Sequence, residues 1–291
     1  MVGICRQPRH RQAIESQGLL LREDGKESRI TLPVCAEFSA GQPVALAIIL
    51  VKSFDTEEAA RNLAGRIALE APVLTLQNGL GNAEALAAHL APDQVLAGTT
   101  TFAALLEAPG VVRLTGRGEC EIGAWRPAAE HYLPRVKELL ARGGIPCRFS
   151  SNVAVSVWKK LAVNAVINPL TAILGVRNGD LLDRAELEPL FAAVAEEVWR
   201  VAARHQVPLP TPPELVAEVR RVCQVTAANQ SSMLRDVAES RRTEVDAISG
   251  AVARLGRERG VLAPVNEALA ALVRAASLVS QQKTKLDREP K

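Results

Sequence analysis

No GxGxxG occurs anywhere in the chain, so the usual glycine-rich cradle for a dinucleotide pyrophosphate is missing. A strong charge of one sign is missing too. Charged residues make up 23% and the formal net charge is +3, which leaves no electrostatic footprint for nucleic acid or for an anionic membrane surface. The longest early apolar run, PVALAIILV, is too short to span a bilayer, and MVGICRQPRHRQ is broken by charges before any signal-like apolar region forms. The five cysteines, Cys5, Cys35, Cys120, Cys147 and Cys223, are scattered, odd in number and free of CxxC or His-linked spacing. They predict neither a metal site nor a disulfide framework, and fit reduced, packing thiols of a cytoplasmic chain. There is no internal repeat and no low-complexity segment. The partner these absences leave is a small neutral or acidic molecule, with neither nucleic acid nor membrane expected.

At 291 residues the chain can bury a large core in one large or two medium domains. Its patterning divides in two. Up to about residue 150, short β-rich runs (VGIC, VALAIILV, PVLTLQ, QVLAGTTTF) alternate with helical patterns (PRHRQAIESQG, TEEAARNLAGRI, NAEALAAHL), which predicts parallel strands with crossover helices. PGVVRLTG and GECEIGAW then read as two short strands around a glycine-containing turn. Residues 151–280 carry apolar positions at helical spacing only, and 281–291 form a polar tail expected to fray. The fold class is therefore α/β followed by all-α.

Polar residues collect where parallel sheets bind ligands, at the carboxyl ends of strands. Lys52 and Ser53 follow LAIILV, Gln77 and Asn78 follow VLTL, and Thr99, Thr100 and Thr101 close the strand beginning QVLAG. Any one of these is explained by loops being polar. Three successive strands together predict a ligand crevice. Arg6 stands just past VGIC, with Arg9 and Arg11 nearby, and a basic group there suits the extra phosphate of NADP better than the hydroxyls of NAD. A solvated helix start accounts for at least two of the three arginines. GLGNAE, from Gly79, imitates a phosphate loop but lacks its third glycine, and is expected to be a tight turn that brings the backbone at Asn78 close to a ligand.

The helical half holds two further patterns. In KKLAVNAVINPLT, Lys160, Asn164 and Asn168 recur at a spacing of four, which puts them within an arc of about 80° along about 12 Å of one helix side. Such a stripe is either an active-site face or a buried amide network tying helices together. In NQSSMLRDVAESRRTEVDAISG, Asn229 and Ser232 would share a helix face if the segment is helical, while Thr243 and Asp246 read as a capping box with Glu244 on the first turn. Alone, Glu244 is most simply a carboxylate favoured by the helix dipole.

KKLAVNAVINPLTAILGVRNG, NQSSMLRDVAESRRTEVDAISGAV, LQNGLGN and ILVKSFDT together resemble ketopantoate reductase, from about Val2 to about Ser277. The resemblance implies NADPH-dependent reduction of 2-dehydropantoate to pantoate, on the way to pantothenate and coenzyme A. It implies a Rossmann-type domain (1–150) joined to a helical substrate domain (151–280), with the active site in the cleft between them. By it Lys160 is the general acid at the keto oxygen, a role suited to lysine because burial can lower an ammonium's pKa. Asn164, Asn168, Asn178, Asn229 and Ser232 would line the substrate pocket, and Glu244 would contact the substrate hydroxyl. Arg6 and Lys52 would meet the NADP phosphate, with Asn78 beside the nicotinamide. A homodimer is the one assembly left open.

The sequence departs from the family twice. Met1 stands at the family's second strand, so the glycine-rich strand, turn and helix are expected to be absent, an N-terminally truncated Rossmann-type sheet. Two readings follow: a reductase whose chain starts further upstream, or a truncated non-catalytic paralogue that keeps acid binding or pairing in its helical half. VGIC and LAIILV would then face a gap or pair directly, with disorder before about residue 40. The second departure is Arg242, where family sequences commonly show proline.

Overall fold

The computed structural model describes residues 1–41 and 43–286, with side chains to residue 282. The chain runs β1 (Gly3–Ile4), α1 (Pro8–Gln17), β2 (Leu19–Glu23), β3 (Lys26–Ile30), β4 (Val34–Cys35), β5 (Ala47–Ile49), α2 (Thr56–Leu63), β6 (Val73–Thr75), α3 (Asn82–Ala87), β7 (Val95–Thr100), β8 (Ala103–Ala108), β9 (Val111–Gly116), β10 (Cys120–Ala124), α4 (Leu133–Arg142) and β11 (Cys147–Phe149). Only helices and 3-10 turns follow: α5 (Val153–Leu174), α6 (Glu188–Arg204), α7 (Pro212–Val225), α8 (Ser232–Ala238), α9 (Ser249–Glu258) and α10 (Pro264–Leu286). The chain forms two units. One holds residues 1–51, 55–77 and 83–153; the other holds the chain from Ala154 together with Lys52–Phe54 and Asn78–Asn82.

In the Rossmann-like α/β unit, β5, β6 and β7 are parallel neighbours in a five-stranded sheet of order β11-β10-β7-β6-β5. Val73, Leu74 and Thr75 are buried, the expected property of a central strand covered on both faces. Leu133, Val136 and Leu140, at helical spacing on α4, join Leu74, Leu96 and Ile122 in the core of this unit. β5 forms the sheet edge, and β1 pairs with β4 in a separate two-stranded sheet, so VGIC and LAIILV do not pair with one another.

Several local expectations are corrected. β9 and β10 are not a hairpin: β9 pairs with β2 and β8 in a four-stranded sheet, whereas β10 pairs with β7 and β11. The hairpin partner of β9 is β8, reached through Gly110 at φ 75°. A second hairpin, β2–β3, turns on Asp24 and Gly25, both at positive φ, an Asp-Gly turn with no place among the expected strands. The tail also changes, since residues 281–286 continue α10 and 287–291 lie outside the described residues.

The helical unit is built round α5, which at 22 residues is about 33 Å long and apolar on most sides, as a central helix must be. Leu161, Val166 and Leu170 of α5 pack with Phe191, Val194 and Val198 of α6, Leu215 and Val219 of α7, and Val273 of α10. Glu197, 3% exposed, accepts from the backbone N–H groups of Val265 and Asn266 (2.8 and 2.9 Å) and caps the start of α10. Among the described residues no helix is long and apolar enough to cross a membrane.

Candidate active site

The stripe lies on α5 as expected. Lys160 and Asn164 are half-buried and Asn168 is 7% exposed. Pro169 follows inside the helix and has no N–H to give the Ala165 carbonyl, so the backbone ladder is interrupted beside the stripe. Among the described residues, the side-chain amides of Asn164 and Asn168 make no hydrogen bond to protein. That is poor evidence for an amide network between helices and favours a face that meets a ligand.

A hydroxyl pair sets what stands beside Asn168. The fully buried Thr171 is hydrogen-bonded to the Ile167 carbonyl and to Ser231, each at 2.7 Å. Ser231 in turn accepts from the Leu234 N–H at 3.0 Å and caps α8, so Ser232 is the first residue of that helix, exposed at its N-terminus. Asn229 lies outside α8, and the shared helix face expected for Asn229 and Ser232 does not form. Its carbonyl instead accepts from the Asn178 N–H at 3.0 Å. The Asn178 amide nitrogen donates to Thr226 at 2.9 Å, while Thr226 donates its own proton to the Val222 carbonyl at 2.7 Å. Thr226 can therefore only accept from Asn178, which fixes the orientation of that amide.

Glu244, 7% exposed, sits just before a 3-10 turn, Val245–Ala247, and α9 begins only at Ser249. The capping box does not form, because Asp246 pairs with Arg274 at 2.8 Å and no side chain caps the turn. Glu244 accepts from the Ser53 N–H at 2.9 Å and lies 3.5 Å from the Lys52 ammonium. Lys52 reaches the 2%-exposed Asp236 at 2.6 Å, and Arg241 completes that pair at 3.0 Å. Lys52, assigned by resemblance to the cofactor phosphate, thus has its ammonium between two buried carboxylates. The glycine turn supports the same place. Leu80 donates to the Ala247 carbonyl at 2.8 Å, and a Cβ on Gly79 (φ 82°) would stand 2.5 Å from that oxygen. The Asn78 carbonyl accepts from the Asn82 amide at 3.0 Å.

The α/β unit contributes Arg6, 40% exposed at its side chain and paired with Asp55 (3.3 Å) and with Glu58 at the start of α2. Glu58 is the largest of the influences that raise the arginine's pKa above its ordinary value. At the carboxyl ends of β5 and β6, the Gln77 amide donates to Val51 (2.6 Å) and Thr56 (2.7 Å) and accepts from Thr75 (2.9 Å), so Gln77 ties the strand ends together. A partly exposed arginine at the start of α2, the helix that follows β5, fits an anionic dinucleotide. Sequence reasoning missed Asp236, Thr226 and the Thr171–Ser231 pair. Their only signal was a polar residue at a position the helical pattern made apolar or inward.

Residues 1–127 match the family described as ketopantoate reductase PanE/ApbA, and residues 152–277 match ketopantoate reductase PanE/ApbA C terminal. The chain is 39% identical to a 2-dehydropantoate 2-reductase of Halobacterium salinarum over 93% of its own length and 88% of that protein. It is 37% identical to the 2-dehydropantoate 2-reductase of Archaeoglobus fulgidus, over 79% and 75% of the two chains. Among solved structures, a ternary D-mandelate dehydrogenase with NADH and anilino(oxo)acetate superposes with a TM-score of 0.91 at 28% identity, covering 96% of this chain and 91% of that one. A PanE/ApbA family ketopantoate reductase from Ralstonia eutropha gives 0.85 at 33% identity, covering 94% and 90%.

Proposed function

The chain belongs to the ketopantoate reductase family, oxidoreductases acting on CH–OH, and we propose from this that it reduces 2-dehydropantoate to pantoate with Lys160 as proton donor. The observation that carries the reading is the stripe on α5: the Lys160 ammonium in line with two amides, Asn164 and Asn168, that make no side-chain hydrogen bond to protein among the described residues, on a largely apolar helix. Lys160 delivers a proton to the keto oxygen as carbon 2 becomes tetrahedral, so the product leaves as an alcohol and not as an alkoxide. Asn164 and Asn168 donate to substrate oxygens without adding charge. Asn178, Asn229 and Ser232 extend that lining, and Glu244 accepts from the substrate hydroxyl. Lys52 we assign to Glu244 itself, holding its carboxylate in place with Ser53.

A nicotinamide cofactor supplies the hydride when bound. We assign it as NADPH, with Arg6 at the extra phosphate and Asn78 towards the nicotinamide end. The polar lining suits a hydroxylated aliphatic 2-keto acid better than the aryl keto acid analogue held by the D-mandelate dehydrogenase. Lys160→Ala should lower kcat for 2-dehydropantoate by about two to four orders of magnitude, the usual scale for a positioned general acid, with NADPH affinity little changed. Stopped-flow NADPH oxidation measures both. Near-normal turnover in the variant removes Lys160 from the mechanism.

A further inference from the structure

Beside Glu244 lies an open pocket of about 210 Å³, lined among others by Ser53, Phe54, Asn82, Arg242, Glu244 and Asp246. Its charges are matched except for one. Glu244 faces Lys52, and Asp246 is paired with Arg274. Arg242 has no carboxylate partner among the described residues, and its guanidinium lies over the Phe54 ring, 4.3 Å from the centroid. The ring supports one side of the cation, and an exposed guanidinium has N–H groups to offer a planar anion. One exposed, unpaired arginine is ordinary. An arginine held against an aromatic ring in the lining of a pocket that contains a buried carboxylate is not.

Resting on the reading above, we infer that Arg242 is a specificity-determining residue that takes the carboxylate of the 2-keto acid, while Glu244 accepts a hydrogen bond from its hydroxyl. The cavity thereby offers one anion receptor and one hydroxyl acceptor, and selects acids that carry both groups. Phosphate is the competing anion, since the same N–H edge would accept it. The cavity's two carboxylates favour a singly charged carboxylate over a dianion.

The test uses Arg242→Gln, Arg242→Lys and Phe54→Leu in the intact chain. Loss of a charged, bidentate contact should raise KM for 2-dehydropantoate about 10- to 100-fold in Arg242→Gln, with kcat within about threefold. Arg242→Lys should recover only part, and Phe54→Leu should raise KM by a smaller factor. Calorimetric binding of pantoate must weaken in parallel, and the NADPH dissociation constant must stay put. Unchanged KM and pantoate affinity in Arg242→Gln overturn the inference. So does a weakened NADPH affinity with pantoate unaffected, which would give the guanidinium to a cofactor phosphate. A wild-type chain that binds pantoate in an Arg242-dependent way but does not turn over 2-dehydropantoate sinks the reductase reading and leaves this inference standing.

Discussion

The imidazole of His10 shows how a single side chain ties local sequence to stability. Its Nδ1 accepts from the Gly110 N–H at 2.8 Å, pinning α1 to the β8–β9 turn, and a Cβ on Gly110 would stand 2.9 Å from that of Ala13. Burial pushes the His10 pKa below its ordinary value. The neutral ring is the form that can accept this bond, so protonation opposes the folded state twice over. Because the folded pKa is depressed, the unfolded chain takes the proton first as pH falls. The stabilisation is complete above the unfolded value of about 6.5 and is lost as pH drops through the folded one. Thermal melts from pH 8 to pH 5 should therefore show a steeper loss of Tm in the wild type than in His10→Leu. Parallel curves would show that His10 does not titrate with unfolding.

The turn Gln77–Asn82 shows what an element can and cannot reveal in sequence. Its glycines announce a tight turn, and Gly79 and Gly81 do adopt φ of 82° and 93°. What the turn leans on is not local: it docks on Ala247, three residues past Glu244. Gly79→Ala combines a left-handed backbone, at a cost of about 1–2 kcal/mol, with a Cβ driven into a carbonyl oxygen, so the Val245–Ala247 turn must move. The variant should be destabilised and should lose turnover of 2-dehydropantoate. Wild-type melting and kinetics in Gly79→Ala would separate the turn from Glu244. The stripe of Lys160, Asn164 and Asn168 was legible because i, i+4 spacing on one helix is local information. The Thr243–Asp246 spacing misled for the opposite reason. Glu244 and Asp236 are held by Lys52, which lies 184 residues from Asp236 in sequence, and no local pattern encodes that. The β2–β3 hairpin was different again. Its Asp-Gly signal stood in plain view, but LLLRE and KESRI lack the apolar alternation that would have flagged strands.

At the scale of the whole chain, the proposed roles divide by unit: Lys160, the α5 amides and Glu244 belong to the helical unit, and Arg6 belongs to the α/β unit. Cofactor preference should then be separable from turnover by substitution. Arg6→Ala should weaken NADPH by about 1.5–3 kcal/mol, roughly 10- to 100-fold, while NADH binding changes far less. The ion pairs sharpen this expectation. Asp55 and Glu58 hold the same guanidinium, so a phosphate arriving at Arg6 must compete with Glu58 and feels its negative charge. Glu58→Gln removes that competitor without removing the cation. It should tighten NADPH and leave NADH nearly untouched, widening the preference between the two cofactors. Titrations of both nucleotides against wild type, Arg6→Ala and Glu58→Gln, with kcat followed in parallel, measure the effect. Equal losses for NADPH and NADH in Arg6→Ala, together with no gain in Glu58→Gln, would mean that Arg6 is a surface ion-pair partner and that the 2′ position is read elsewhere.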